Sequence, residues 1–167
     1  MNTGLGQEGT GKTAAAAEGI DLFKPMTGSW KVDMTLTLKP GYEPQHAQVI
    51  SRIQLLGGIF LEEWLEGKSG NMPVGGLSIT RWNALERTYE VSRFSVRIPT
   101  LQMTEKGKYD EKSGAFVCEG SYSLEGALVK QRSVIRMTGP NSILTEVFIS
   151  MNDSSEYKSI EMKYTPL

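Results

Sequence analysis

The chain has 167 residues, 39% of them hydrophobic, enough for one domain with a single buried core. Its 18 Lys and Arg against 19 Asp and Glu leave a net charge of -1, with no basic excess to hold phosphate backbones or anionic lipid, so nucleic acid is not an expected partner. Apolar runs such as IQLLGGIFL fall well short of the roughly 18 residues a membrane span needs. The start shows no basic patch followed by an apolar stretch. A single cysteine, Cys118, can form no internal disulfide, and the whole predicts a soluble protein of the reducing cytoplasm.

The first notable stretch is Gly6 to Thr13 (GQEGTGKT), which fits the phosphate-binding pattern G-x-x-x-x-G-K-[ST]. That loop works when a buried strand feeds it and a helix starts where its backbone N–H groups face the phosphates. Only MNTGL precedes it, too little for a buried strand. After it, TAAAAE is interrupted by Gly19, and Pro25 closes the region. No later alternation of strands and helices supplies the rest of a nucleotide site. The motif therefore reads as a coincidence within a flexible or partly helical leader, residues 1–21, in which Ala14 to Ala17 and then Ile20, Leu22 and Phe23 could form a turn or two that caps one end of the domain.

From Trp30 the chain alternates with period two between turn signals, as antiparallel strands do. Trp30, Val32, Met34, Leu36 and Leu38 make one apolar face of the first segment. KPGYEP ends it, and Ala47 to Leu56 and Ile59 to Glu66 flank Gly57-Gly58, a tight hairpin signal. The remaining segments are Val74 to Trp82, Thr88 to Val96, Leu101 to Tyr109, Ala115 to Leu124, Leu128 to Thr138, Ile143 to Met151 and Glu156 to Thr165. About ten strands in short connections predict an all-β, antiparallel up-and-down meander over residues 22–167. Such a meander loses its exposed edges by becoming a closed or nearly closed barrel, with a two-sheet sandwich as the alternative. Barrels of this size either fill with side chains or hold one small ligand.

Gly28-Ser29-Trp30 opening the first strand looks like the G-x-W start of lipocalin-type barrels. With LLGGIFLEEWLEG, GLSITRWNALERTYE, GKYDEKSGAFVCEGSYS, VKQRSVIRM and EYKSIEMKYTP in order, residues 22–166 resemble a bacterial family known as domain of unknown function 1579. The resemblance implies a lipocalin-like barrel and no assigned activity. The family's usual Tyr-Asp pair falls at Trp82-Asn83 and its Trp-x-Asp stretch near Arg93-Phe94-Ser95, so a polar pocket built on that aspartate does not carry over. It also implies that Arg132 lies across Trp30, as a late-strand Arg does in lipocalin-type barrels.

His46, the only histidine, stands beside a Pro- and Gly-rich turn and reads as a solvated loop-end residue, so no histidine metal cluster or haem site is expected and no cofactor is predicted. Cys118 shares a face with Phe116 and Tyr122 and reads as a small buried hydrophobe. Most of the 8 methionines read as core, and a thioether lining also suits an apolar ligand of loose shape. Charges on apolar faces are more informative, because a buried charge must be paired. Glu63 lies between Leu61 and Leu65, and Glu156 and Lys158 precede Ile160, Met162 and Tyr164 on one face. Arg132 and Arg136 are candidate partners, although period two alone puts both outside. The preferred reading is a non-enzymatic barrel for a small apolar or amphipathic ligand, with Trp30, Glu63, Arg93, Tyr122, Arg132 and Glu156 as candidate contacts. The alternatives are an enzyme using Glu63 or Glu156 as a buried general acid or base, and a structural homodimer with a filled core.

Overall fold

A computed structural model describes residues 19–167, so the GQEGTGKT motif and the Ala14 to Ala17 run lie outside the described residues. The strands are β1 (Gly28–Leu36), β2 (Gln45–Leu56), β3 (Phe60–Ser69), β4 (Met72–Asn83), β5 (Thr88–Ser95), β6 (Gln102–Asp110), β7 (Ala115–Leu124), β8 (Ala127–Gly139), β9 (Ser142–Met151) and β10 (Tyr157–Pro166). Each pairs antiparallel with its neighbours in sequence. β1 pairs with β10 from Trp30↔Pro166 to Leu36↔Ile160, which closes the barrel and excludes the sandwich.

The alternation read from the first strand holds: Trp30, Val32, Met34 and Leu36 are buried. Leu38, expected on the same face, lies beyond the strand and is exposed. The Gly57-Gly58 hairpin is present, both residues having positive φ (59° and 69°), a conformation that a side chain would strain. Gly107 and Gly120 serve a different purpose on β6 and β7. A Cβ there would come within 2.0 Å of the Val117 carbonyl oxygen and 2.1 Å of the Thr104 carbonyl oxygen, respectively. Bare glycine lets the adjacent strands bend tightly enough for the sheet to turn.

The short helix expected near the start is a 3-10 helix, Ile20–Met26, which closes the end of the barrel where β1 begins. It buries Ile20, Phe23 and Met26. The Phe23 ring stacks on Phe116 (centroids 3.9 Å apart) and meets Tyr89 edge-on at 5.3 Å. Tyr89 in turn packs on Trp82 and donates its hydroxyl to the Gly19 carbonyl at 3.0 Å. Trp30 donates its indole N–H to the Met26 carbonyl at 3.0 Å, tying strand to helix. This half of the barrel is solid. Truncating the plug should therefore be costly: Phe23→Ala is expected to lower stability by about 3–5 kcal/mol, read as a lower urea midpoint with an unchanged m-value.

Candidate functional site

The other half of the barrel is hollow. A cavity of about 530 Å³ lies under the loops that follow β1, β5, β7 and β9, within the range typical of small-molecule sites. Its wall is mainly apolar and includes Leu65, Val129, Val147, Ile149, Met103 and Met162. Exposed Leu38 and Arg97 are also part of its lining, so that end communicates with solvent. Met103, Met151 and Met162 reach the cavity while Met26 packs in the plug, so the methionines divide between lining and core.

Between cavity and plug lies a layer of polar side chains from neighbouring strands. Arg93 on β5 donates from Nε to Glu105 Oε2 on β6 at 2.7 Å. Glu105, whose side chain is 1% exposed, also accepts from Ser133 Oγ at 2.6 Å and Gln131 Nε2 at 3.2 Å on β8. Burial by itself would lower the Arg93 pKa, but the charge and hydrogen bond of Glu105 outweigh it and hold the guanidinium above its usual range, with Glu63 adding to the effect. Glu63 Oε1 accepts from Ser51 Oγ at 2.8 Å and Tyr164 Oη at 2.9 Å. Burial first, and then the charge of Glu63, push the Tyr164 hydroxyl well above its normal range, so it stays a donor. Burial and then Glu105 push the Cys118 thiol up to about 12, so it is a protonated small hydrophobe rather than a nucleophile.

Arg93, Gln131 and Ser78 are the members of this region that line the cavity, with Tyr122 higher on the wall. Burial, then Glu105 and Tyr157, raise the Tyr122 pKa, leaving its hydroxyl protonated. Arg93 Nη2 is buried without a hydrogen-bond partner. Its guanidinium thus keeps donor capacity that the described protein atoms leave unused.

The candidates read from the sequence separate accordingly. Arg93 and Tyr122 line the cavity, Glu63 belongs to the polar layer, and Trp30 is in the plug. Arg132 and Glu156 lie outside, joined by Nη2 to Oε2 at 2.6 Å, and the Arg132 guanidinium sits 4.2 Å from the centroid of the Phe148 ring. The expected Trp30–Arg132 stack is not formed. Period two had placed Arg132 outside, and Arg132 is in register with outward Phe148 while its neighbours Gln131 and Ser133 point in. Glu156 and Lys158 do not share a face with Ile160, because the β9–β10 register shifts between Lys158 and Ile160. This bulge turns Tyr157 to the cavity and Lys158 outward, onto Glu146 and Glu161. His46 is exposed at the start of β2, its Nδ1 3.3 Å from Thr35 Oγ1.

Glu105 was missed, although Met103, Glu105, Gly107 and Tyr109 place a carboxylate on an apolar face just as Leu61, Glu63 and Leu65 do. Among the described residues, no three His, Cys, Asp or Glu side chains gather to hold a metal ion. No described helix is long and apolar enough to cross a membrane.

The chain belongs to the DUF1579 family, described as a protein of unknown function, whose pattern matches residues 20–166. This agrees with the resemblance seen in the sequence and extends it back to Ile20. No curated protein matches the chain. Among solved structures, it is similar to the S-type phycobiliprotein lyase CPES from Guillardia theta, at 12% identity over 88% of this chain and 91% of that one, with a TM-score of 0.62. It is also similar to Rv2717c from M. tuberculosis, at 12% identity over 90% of this chain and 98% of that one, with a TM-score of 0.64. At such identities the likeness is one of fold.

The two carboxylate pairs should differ sharply in worth. Glu105→Gln leaves a buried guanidinium short of its counter-charge and is expected to cost about 3–5 kcal/mol in chemical denaturation. Glu156→Gln breaks a partly exposed pair and should cost under about 1 kcal/mol.

Proposed function

We propose that this barrel binds a small apolar or amphipathic molecule in its open half. The observation that carries the reading is the division of the interior: one half is packed with aromatic rings, while the other holds a cavity of about 530 Å³ with an apolar wall and a polar floor. Its apolar wall offers a small molecule contact surface, and the polar floor offers it hydrogen bonds. That a protein of similar fold is a phycobiliprotein lyase is compatible with a barrel of this shape serving a small molecule. Arg93 and Tyr122 are the polar contacts proposed from the earlier candidates, with Glu63 supporting the floor. The barrel domain is taken as residues 22–167, with residues 1–21 as its leader. A reduced, buried Cys118 fits the cytoplasm as its location.

Native mass spectrometry of the purified protein should show a noncovalent small-molecule adduct that denaturation releases. Val129, 1% exposed on the cavity wall, provides the control. Val129→Phe should project a ring into the space and weaken the adduct, while leaving the far-UV circular dichroism spectrum unchanged. An adduct carried equally by both proteins would place the molecule outside the cavity and count against the reading.

A homodimer is the second reading, favoured by the outer face of β3 to β5. There Trp64 is paired with Leu77 and Leu77 with Phe94, and Trp64 and Phe94 are 49% and 38% exposed. Contiguous exposed rings of this kind suit self-association. Sedimentation should then give a dimer that Trp64→Lys converts to monomer; a monomer at all concentrations would dispose of it.

A further inference from the structure

The floor of the cavity narrows the chemistry of what the barrel holds, given that it is a binding barrel. The side chains presented there are rich in donors. Arg93 uses Nε on Glu105, its Nη2 is sealed off without a partner, and the rest of its side chain, 15% exposed, lines the cavity. Ser78, directly across the β4–β5 pairing from Arg93, and protonated Tyr122 add hydroxyls to the same cavity. An apolar tail alone would leave the part of the guanidinium that lines the cavity without an acceptor in a site stripped of water, which is unfavourable. An acceptor on the ligand removes that cost.

The charge of the same layer decides which acceptor. One guanidinium stands among two carboxylates, since Glu105 pairs with Arg93 directly and Glu63 lies in the same inward row through Glu63↔Ser78↔Arg93. Glu105 already provides the direct ion pair, with its carboxyl group all but fully buried. A ligand carboxylate brought to Arg93 would add a third negative charge around a single positive one, in a region where charge is weakly screened. A carbonyl accepts the same hydrogen bonds without adding charge.

We propose that the molecule held in the cavity carries an uncharged carbonyl, of the ketone, ester or amide kind, seated against Arg93, with its hydrocarbon body along the apolar wall toward Leu38 and Arg97. The carbonyl oxygen takes up the donor capacity left on the guanidinium, and Ser78 and Tyr122 complete its polar surroundings. An anionic group, if the molecule has one, belongs at the solvent-facing end beside Arg97.

The test is competition against Nile red, an uncharged dye that is brighter in apolar surroundings, by methyl nonyl ketone, undecanoic acid and undecane at neutral pH. The ketone should displace the dye at a concentration about tenfold lower than either the acid or the alkane, as one hydrogen bond to a charged donor would give. Arg93→Met should remove the ketone's advantage over undecane, read as the ratio of the two displacement midpoints in the variant. Because the three competitors are first ranked on the wild-type protein, the result does not depend on the variant folding. Undecanoic acid as the best competitor would overturn the proposal in favour of an anionic head. Equal displacement by ketone and alkane would overturn it by showing that Arg93 is not met, with the binding reading intact. Dye that does not bind, or that binds Val129→Phe equally well, would remove the binding reading and the proposal with it.

Discussion

Everything in this barrel depends on the pairing of its first strand with its last. β1 and β10 meet in register from Trp30↔Pro166 to Leu36↔Ile160, and that closure gives every strand two neighbours. Without it, two edges would present unpaired N–H and C=O groups, and the interior would open to water. With it, the alternation along each strand acquires a fixed meaning, inside or outside, and polar side chains on inward positions are forced into one another's company. The Glu63–Tyr164 hydrogen bond follows from this, joining residues 101 positions apart across the lumen, while the Arg93–Glu105 and Ser51–Glu63 contacts join neighbouring strands and add to the same layer.

The interior is then divided along its length. Bulky rings on β4, β5, β6 and β7 converge with Phe23 of the helix at one end. Toward the other end, inward positions of β4 and β5 include Gly76, Ser78 and Ser95, and the lumen stays open. Gly76 cannot be enlarged to fill it, since a Cβ there would lie 2.1 Å from the Phe94 carbonyl oxygen. Close strand packing on that wall and free space in front of it are therefore two results of the same missing side chain.

Strand number, order and approximate limits were legible because period-two alternation and turn residues are local signals. Face assignment was equally legible where the alternation ran unbroken, as in β1, and in β8, where it put Arg132 outside correctly. It failed in β10, where one extra residue before Ile160 reverses the parity, and no residue type marks the shift between Lys158 and Ile160. The supposed Trp30–Arg132 contact came from likeness to other barrels rather than from the strand's own pattern, and the pattern was right. Glu105 was visible in the same way as Glu63, but its partners were not: Ser133 and Gln131 are separated from it by 28 and 26 positions, and nothing local announces such a meeting. The division between plug and cavity depends on side-chain volumes summed around the lumen, which no single strand reveals.

The helix Ile20–Met26 also has a kinetic meaning. With its rings sealing one end, the cavity is a blind shaft whose floor, the Arg93 layer, is held at a set depth by two paired strands. On the proposed binding reading, a molecule would enter past the loops near Leu38 and Arg97, which among the described residues border the open end, so those loops would govern rate while the floor governs fit. Such a shaft works as a depth gauge. An occupant that is too short leaves void above it, and one that is too long protrudes into water, so length is discriminated by geometry even where the wall makes no polar contact.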